Sequence, residues 1–202
     1  MKVTAQIHKA LPAREILDNY SNYSSYFDLS KNMKGIYFHI YKASSEASIP
    51  FYIGISNNVF ERNYDHLQNY INGSYWLVKD PEELKTLECF KIDSYDRNDF
   101  FQPIPKSNLE ERKPSVEKLL DDMWILFSRV IPENKDAFCE RILIEQVERQ
   151  LQDKLVESLK IDPSWVGRTG SNRGGGLDII THNLTIEYTS NEIPRLKHEL
   201  LL

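Results

Sequence analysis

The first third of the chain contains four side chains that could act together in catalysis: two tyrosines, an arginine and a histidine. Tyr37 ends the tripeptide GIY, Tyr52 begins the tripeptide YIG, and Arg62 and His66 follow four residues apart. Hydrolysis of a phosphodiester needs an activated water, a cation that offsets charge on the phosphate, and a proton for the leaving oxygen. The guanidinium fork suits phosphate oxygens. The four side chains together therefore indicate phosphodiester cleavage.

Two short strands and a helix are expected to carry these side chains. Residues 34–42 and 51–55 are rich in β-branched and aromatic residues, and their short connection predicts a β-hairpin. Alternation along the strands puts the tyrosines on one face and predicts that the other face is the core face. A helix is expected to begin at Asn57 or Asn58 and to end near residue 72.

The spacing within these elements is compatible with a shared site. Arg62 and His66 lie one turn apart on one face of the predicted helix. A tyrosine with a pKa of about 10 is a poor base at neutral pH. A base role for Tyr37 would thus need help from His66, a neighbouring cation or metal-bound water.

The motifs resemble those of the GIY-YIG nuclease family. Both tripeptides are present, and Arg62 and His66 stand where that family places an arginine and a histidine on its first helix. The resemblance covers residues 34–95 and the later helix that contains Glu140. One departure is the longer connection, with fourteen residues between Tyr37 and Tyr52.

The resemblance implies a metal-dependent DNA endonuclease that hydrolyses phosphodiester bonds. Mg²⁺ is the implied cofactor, with Mn²⁺ as a substitute, and double-stranded DNA is the implied partner. Among the site residues, Tyr37 would activate water with His66, Tyr52 would hold the phosphate or the water, and Arg62 would stabilise negative charge.

With 202 residues, the chain is similar in size to the compact members of the family. Compact members of the family suggest a restriction-type or mobile-element enzyme. An enzyme that cuts both strands is expected to form a homodimer or to act twice. The alternative is a DNA-binding or assembly module that keeps the fold without cleaving.

The family also implies a metal-binding glutamate on a later helix, for which Glu140, Glu145 and Glu148 are candidates. At about 100° per residue, the apolar positions 144, 147 and 151 lie within roughly 40° of Glu140, whereas Glu145 lies about 140° away. An inward carboxylate is costly unless it pairs or binds an ion. Glu140 is therefore the expected metal ligand, with Glu145 second.

Other residues are candidates for contact with nucleic acid. The segment around Gly167–Gly176 holds five of the eight glycines together with Arg168 and Arg173, whose side chains could hold phosphates; a turn or linker is the alternative. Asn172 is the nearest match to an asparagine that the family carries after the helix. His39 shares the face of Tyr37 and is a candidate to support the site residues or to contact DNA; a plain strand residue is the alternative.

The fold class expected is α+β, with a small central antiparallel or mixed three-stranded sheet flanked by helices. Residues 1–33 form an N-terminal extension, residues 34–160 the nuclease core with an insertion at about 96–133, and residues 161–202 a C-terminal extension. The flanking segments and the insertion are the expected target-recognition parts.

Further elements follow from pattern. Residues 87–95 are predicted to be the third strand, 116–130 a buried helix and 135–159 a long helix. A short helix is expected after Pro12, and 177–188 is expected to hold one or two strands.

Composition sets the remaining bounds. The 202 residues are 41% hydrophobic, and the net charge of −5 neither requires nor excludes a nucleic-acid partner. Two isolated cysteines suit a reducing compartment. No apolar run approaches about 18 residues, so a cytoplasmic location is expected. No Gly-Lys-Ser/Thr motif accompanies the glycine segment, which disfavours a nucleotide-binding metabolic enzyme.

Overall fold

The structure is a computed structural model, and it describes most of the chain. The residues described are 1–22, 34–41, 47–48, 50–72, 77–78, 101–102, 109–133, 140–159 and 181–202. The predicted strand at 87–95, the glycine segment with Arg168, Asn172 and Arg173, and both cysteines lie outside these ranges.

The chain forms α+β architecture around a five-stranded mixed sheet. Its strands, in chain order, are β1 (Lys2–Pro12), β2 (Gly35–Tyr41), β3 (Pro50–Ser56), β6 (Met123–Pro132) and β7 (Asn183–Tyr188). The spatial order is β3-β2-β6-β1-β7. A separate two-stranded ribbon pairs β4 (Leu77–Val78) with β5 (Phe101–Gln102). The expected sheet of three strands was therefore too small.

The predicted hairpin is confirmed. Strands β2 and β3 are antiparallel, with Tyr37 opposite Gly54 and His39 opposite Tyr52. Partners opposite each other share a face, so the alternation predicted for these residues is also confirmed. Ser48, between the two strands, is hydrogen-bonded to the C-terminal segment. Its backbone N–H donates to the Arg195 carbonyl (2.6 Å), and its carbonyl accepts from the Lys197 N–H (3.0 Å).

The strand β6 lies in the middle of the sheet, where the sequence pattern had predicted a helix. It pairs antiparallel with β2 on one side and with β1 on the other. The helix predicted over 116–130 is correct only for its first part, since the chain leaves the helix after Asp122. Residues 123–132 are thus part of the core sheet and not of an insertion.

The N- and C-terminal segments also contribute to this sheet. Strand β1 pairs antiparallel with β6 and parallel with β7. Val3, Ala5 and Ile7 on β1 are fully buried. Residues 1–12 and 183–188 are therefore structural parts of the sheet, although sequence reasoning had assigned them to extensions.

Within the described ranges, four helices accompany the sheet. They are α1 (Ala13–Asp18), α2 (Val59–Ile71), α3 (Leu109–Asp122) and α4 (Glu140–Leu159). The short helix after Pro12 and the long helix ending at Leu159 are confirmed, the latter with a described start at Glu140. Helix α2 packs on β2 and β3, and α4 packs on β2, β3 and β6. Two short 3₁₀ turns lie at Tyr20–Asn22 and His198–Leu200.

Every residue of β2 is buried, which corrects the expectation that only one face of the hairpin is a core face. Ile36, Phe38 and Ile40 are fully buried on one face, and Tyr37 is only 1% exposed on the other. The Tyr37 side chain therefore lies in the interior of the protein and not on its surface. Among the described residues, no helix is long and apolar enough to cross a membrane.

Candidate active site

The hairpin brings the two tyrosines together. The rings of Tyr37 and Tyr52 are stacked, with centroids 6.1 Å apart and an interplanar angle of 15°. They are diagonal neighbours on one face, because Tyr37 pairs with Gly54 and Tyr52 pairs with His39. The two tripeptides of the sequence thus form one aromatic surface.

Gly54 makes room for the Tyr37 ring. A Cβ atom at this position would collide with the Tyr37 hydroxyl, and it would lie 2.6 Å from Tyr37 Cζ and 2.9 Å from Tyr52 Cε1. Such separations are well inside van der Waals contact. The glycine of the second tripeptide is therefore required by the path of the Tyr37 side chain across β3.

Helix α2 supplies the arginine and the histidine. Its start is fixed by Asn58, whose side chain accepts from the Glu61 backbone N–H at 3.2 Å. From this start, His66 faces inward and is fully buried, and its Nε2 lies 2.8 Å from the Tyr37 hydroxyl oxygen. Arg62, one turn earlier, lines the cleft beside the same tyrosine, and its positive charge opposes the rise in the Tyr37 pKa.

The contact between Tyr37 and His66 determines what these groups can exchange. Arginine has donors only, so Arg62 faces this pair as a permanent cation. The Tyr37 hydroxyl donates to His66 Nε2 in the imidazole tautomer that carries its proton on Nδ1. The arrangement can pass a proton from Tyr37 to His66 while Arg62 stabilises the charge left on the phenolic oxygen.

Tyr37 is held neutral by its surroundings. Burial raises its pKa well above 10, and the nearby Tyr52 and Glu148 raise it further, while Arg62 opposes the shift. A free phenolate is therefore absent at neutral pH. Any base function of Tyr37 must be coupled to proton transfer onto His66.

His39 lies inside this group and not on a surface. It is fully buried, and burial lowers the pKa of its imidazole to about 4. The His39 ring is stacked on Tyr52 at a centroid distance of 5.0 Å. Direct contact with DNA, one of the two expected roles, is inconsistent with this burial, so a supporting role is the one that the geometry allows.

Helix α4 presents its carboxylates at different depths. Glu148 is buried, at 4% exposure, and its Oε1 accepts from Gln152 Nε2 at 3.3 Å. Gln152 Nε2 also donates to the Ile53 carbonyl at 2.7 Å, which ties α4 to β3 between Tyr52 and Gly54. Glu145 is ion-paired with Arg141 at 2.9 Å. Glu140 is the first residue of the helix, and its side chain lies outside the described part.

A cleft of about 660 Å³ opens beside the tyrosines. Among the described residues, its charged lining consists of Lys34, Arg62 and Arg141 with the carboxylate of Glu145. The lining also includes Tyr37, Tyr52, Ile55, Ser56, Asn57, Ile142 and Ile144. A cleft with this charge favours an anionic ligand such as a phosphate group.

The carboxylates of α4 are the candidate ligands for the metal that the resemblance implies. No cluster of three or more His, Cys, Asp or Glu side chains occurs among the described residues. Mg²⁺ keeps several waters and needs only one or two carboxylates. Helix α4 begins at Glu140 and brings Glu145, in its second turn, to the cleft, so its N-terminal part is compatible with such a site.

Glu148 is the residue that sequence reasoning undervalued. Relative to Glu140, the apolar residues Ile144, Val147 and Leu151 lie near one helix face, and Glu148 lies about 80° from Glu140. Measured from Ile144, Glu148 lies at about 40° and is well within the buried stripe. Phase taken from the middle of the helix would have identified it.

Comparison of the chain with family models, with curated proteins and with solved structures finds no match.

Proposed function

We propose that this protein is a metal-dependent DNA endonuclease of the GIY-YIG type, either restriction-type or from a mobile element. The observation that supports this most strongly is the hydrogen bond between Tyr37 and His66 at a cleft that Arg62 also lines. A cation for the phosphate and a tyrosine–histidine pair that can exchange a proton are the groups that phosphodiester hydrolysis needs.

In this mechanism the scissile phosphate lies in the cleft against Arg62, which stabilises the charge that develops on it. Tyr37 orients the attacking water and passes its proton to His66 as the water loses one. Tyr52 is intermediate in exposure and lines the cleft, where its hydroxyl can hydrogen-bond the phosphate or the water. All four side chains act from fixed positions, which reduces the cost of orientation.

The cofactor in this proposal is Mg²⁺, with Mn²⁺ as a substitute. Glu140 would hold it, and the bound ion would neutralise charge on the phosphate oxygens. Glu148 lies close enough to raise the pKa of Tyr37, and its proposed role is to keep that hydroxyl protonated until transfer to His66.

The activity is tested by incubating the purified protein with supercoiled plasmid and Mg²⁺. Arg62→Ala is expected to lower the cleavage rate about 100- to 1,000-fold, because it removes one stabilising donor from the transition state. The matched control is Arg195→Ala, an arginine that packs over the Tyr188 ring and does not line the cleft. Equal cutting by both variants would remove Arg62 from the site.

A wild-type protein that cuts neither DNA nor RNA with Mg²⁺ or Mn²⁺ would overturn the endonuclease proposal. Retained DNA binding in that case would favour the non-cleaving module.

The metal ligand is identified by titrating Mg²⁺ against the variants Glu140→Gln, Glu145→Gln and Glu148→Gln. Glu140→Gln is expected to raise the Mg²⁺ concentration that gives half-maximal cleavage. Glu148→Gln is expected to change the rate without changing that concentration. If the shift occurs at Glu145 or Glu148 instead, the metal role belongs to that residue.

A further inference from the structure

His39 is surrounded by the proposed catalytic side chains. Its ring centroid lies 5.0 Å from that of Tyr52, 5.4 Å from His66 and 5.5 Å from Tyr37. The His66 ring meets it nearly at a right angle, at 87°, and the Tyr52 ring is stacked on it. Displacement of the His39 ring would therefore displace three of the four proposed site residues.

Both ring nitrogens of His39 have fixed partners. Asn63 Nδ2 donates to the Val59 carbonyl, which can only accept, so Asn63 Oδ1 faces His39 Nε2 at 2.6 Å. An amide oxygen only accepts, hence His39 Nε2 carries the proton and donates. In the neutral ring Nδ1 then accepts from the Tyr70 hydroxyl at 3.3 Å. One tautomer and one ring orientation satisfy both contacts.

The same hydrogen bonds connect strand and helix. His39 is on β2, two residues after Tyr37, whereas Asn63 and Tyr70 are on α2. Asn63 directly follows Arg62 and precedes His66 by less than one turn. The contact of His39 with Asn63 therefore fixes how α2 is rotated and where it stands along β2.

We propose that His39 is a positioning residue, which sets Tyr52 and His66 in place through its locked ring and registers α2 on the hairpin through Asn63 and Tyr70. This role rests on the proposed endonuclease function. His39 itself exchanges no proton and touches no substrate, since it is fully buried and both nitrogens are engaged.

The test compares His39→Gln with the same substitution at a second buried histidine. Glutamine retains a donor that can reach Asn63 but removes the ring. The control is His182→Gln, because His182 is 3% exposed, bonds Gln146 at 2.8 Å and does not line the cleft. Asn63→Leu is a second variant, which keeps the His39 ring and removes its acceptor.

Single-turnover cleavage and DNA binding are measured separately, both normalised to the folded fraction. His39→Gln and Asn63→Leu are expected to lower the single-turnover rate about 10- to 100-fold with the DNA dissociation constant unchanged, since misplacement affects the reacting geometry. His182→Gln is expected to change neither. A His39→Gln rate equal to that of His182→Gln would overturn the proposal.

Histidine NMR provides a readout that does not need cleavage. The chain has only five histidines, so their ring signals are resolvable. In the wild type, His39 is expected as the Nε2–H tautomer, and the His66 signals are expected to move in His39→Gln and Asn63→Leu but not in His182→Gln. If the His66 signal does not move in these variants, the positioning role is contradicted, whether or not the wild type cleaves DNA. If the His66 signal moves but the wild type does not cleave, only the endonuclease proposal fails.

Discussion

At the scale of single residues, burial keeps two neighbouring side chains of the candidate site, Tyr37 and His39, uncharged at neutral pH. Burial keeps Tyr37 protonated and lowers the pKa of the His39 imidazole. Arg62 is a permanent cation whose charge acts on Tyr37. If the proposed proton transfer occurs, a preorganised cation of this kind would stabilise the charge that develops.

The low pKa of His39 makes the stability of the fold depend on pH. The folded value is about 4 against 6.5 for an ordinary histidine, so the unfolded chain binds more protons between these values. His39 thus stabilises the fold fully above pH 6.5, and that contribution is lost as pH falls towards 4. Its size is about 3 kcal/mol at most, from 1.36 kcal/mol per pKa unit.

Urea unfolding between pH 4.5 and 7 measures this effect. Wild-type protein is expected to lose more unfolding free energy on acidification than His39→Gln, which has no group titrating there. The lowered pKa values of His8 and His182 act in the same direction and remain in both proteins. Parallel pH curves for the two proteins would contradict the assignment.

At the scale of elements, two glycines have separate functions in the hairpin. A Cβ on Gly54 would meet side-chain atoms of Tyr37 and Tyr52. A Cβ on Gly35 would instead collide with the backbone carbonyl of Ser128 on β6. Gly54 thus leaves space for the Tyr37 and Tyr52 rings, and Gly35 permits the pairing of β2 with β6.

Substituting each glycine by alanine should separate these effects. Gly35→Ala is expected to destabilise the protein by about 1–3 kcal/mol or more, because backbone cannot move aside easily. Gly54→Ala is expected to cost less stability and to lower cleavage per folded molecule, because it displaces the Tyr37 hydroxyl from His66. Thermal unfolding and cleavage assays on both variants check this, and equal activity loss per folded molecule would refute the distinction.

The junction of α3 and β6 shows why the sequence pattern failed there. Residues 116–130 are apolar at many positions, and a strand buried on both faces has no alternation to distinguish it from a buried helix. Ile125, Leu126 and Phe127 are consecutive and all fully buried. Only the pairing with β1 and β2 reveals that this run is a strand.

At the scale of the whole molecule, the charge around the cleft differs in sign from the net charge of the chain. The chain carries −5 overall, yet the cleft presents Lys34, Arg62 and Arg141 against Glu145. A local cationic surface of this kind favours an anionic ligand. If DNA binds in the cleft as proposed, its affinity should fall as salt is added.

Lys34 provides the measurement of this effect. If its side chain contacts one DNA phosphate, Lys34→Gln should make the slope of log K against log salt shallower by about 0.9, since one counterion fewer is released. Lys118→Gln is the control, because Lys118 is exposed on α3 and does not line the cleft. Identical slopes for wild type and Lys34→Gln would exclude a phosphate contact at Lys34.

The sequence by itself determined the hairpin, the helix α2 and the shared face of Tyr37, His39 and Tyr52. Local periodicity and capping define these features within residues 35–71, so no distant contact is needed to predict them.

The tertiary structure decided the rest. It buried the tyrosine face, placed β6 beside β2, drew β1 and β7 into the same sheet and brought Glu148 near Tyr37. These features depend on pairing and packing between residues far apart in the chain, and so do the neutral states of Tyr37 and His39, because desolvation arises only when the whole core closes around them.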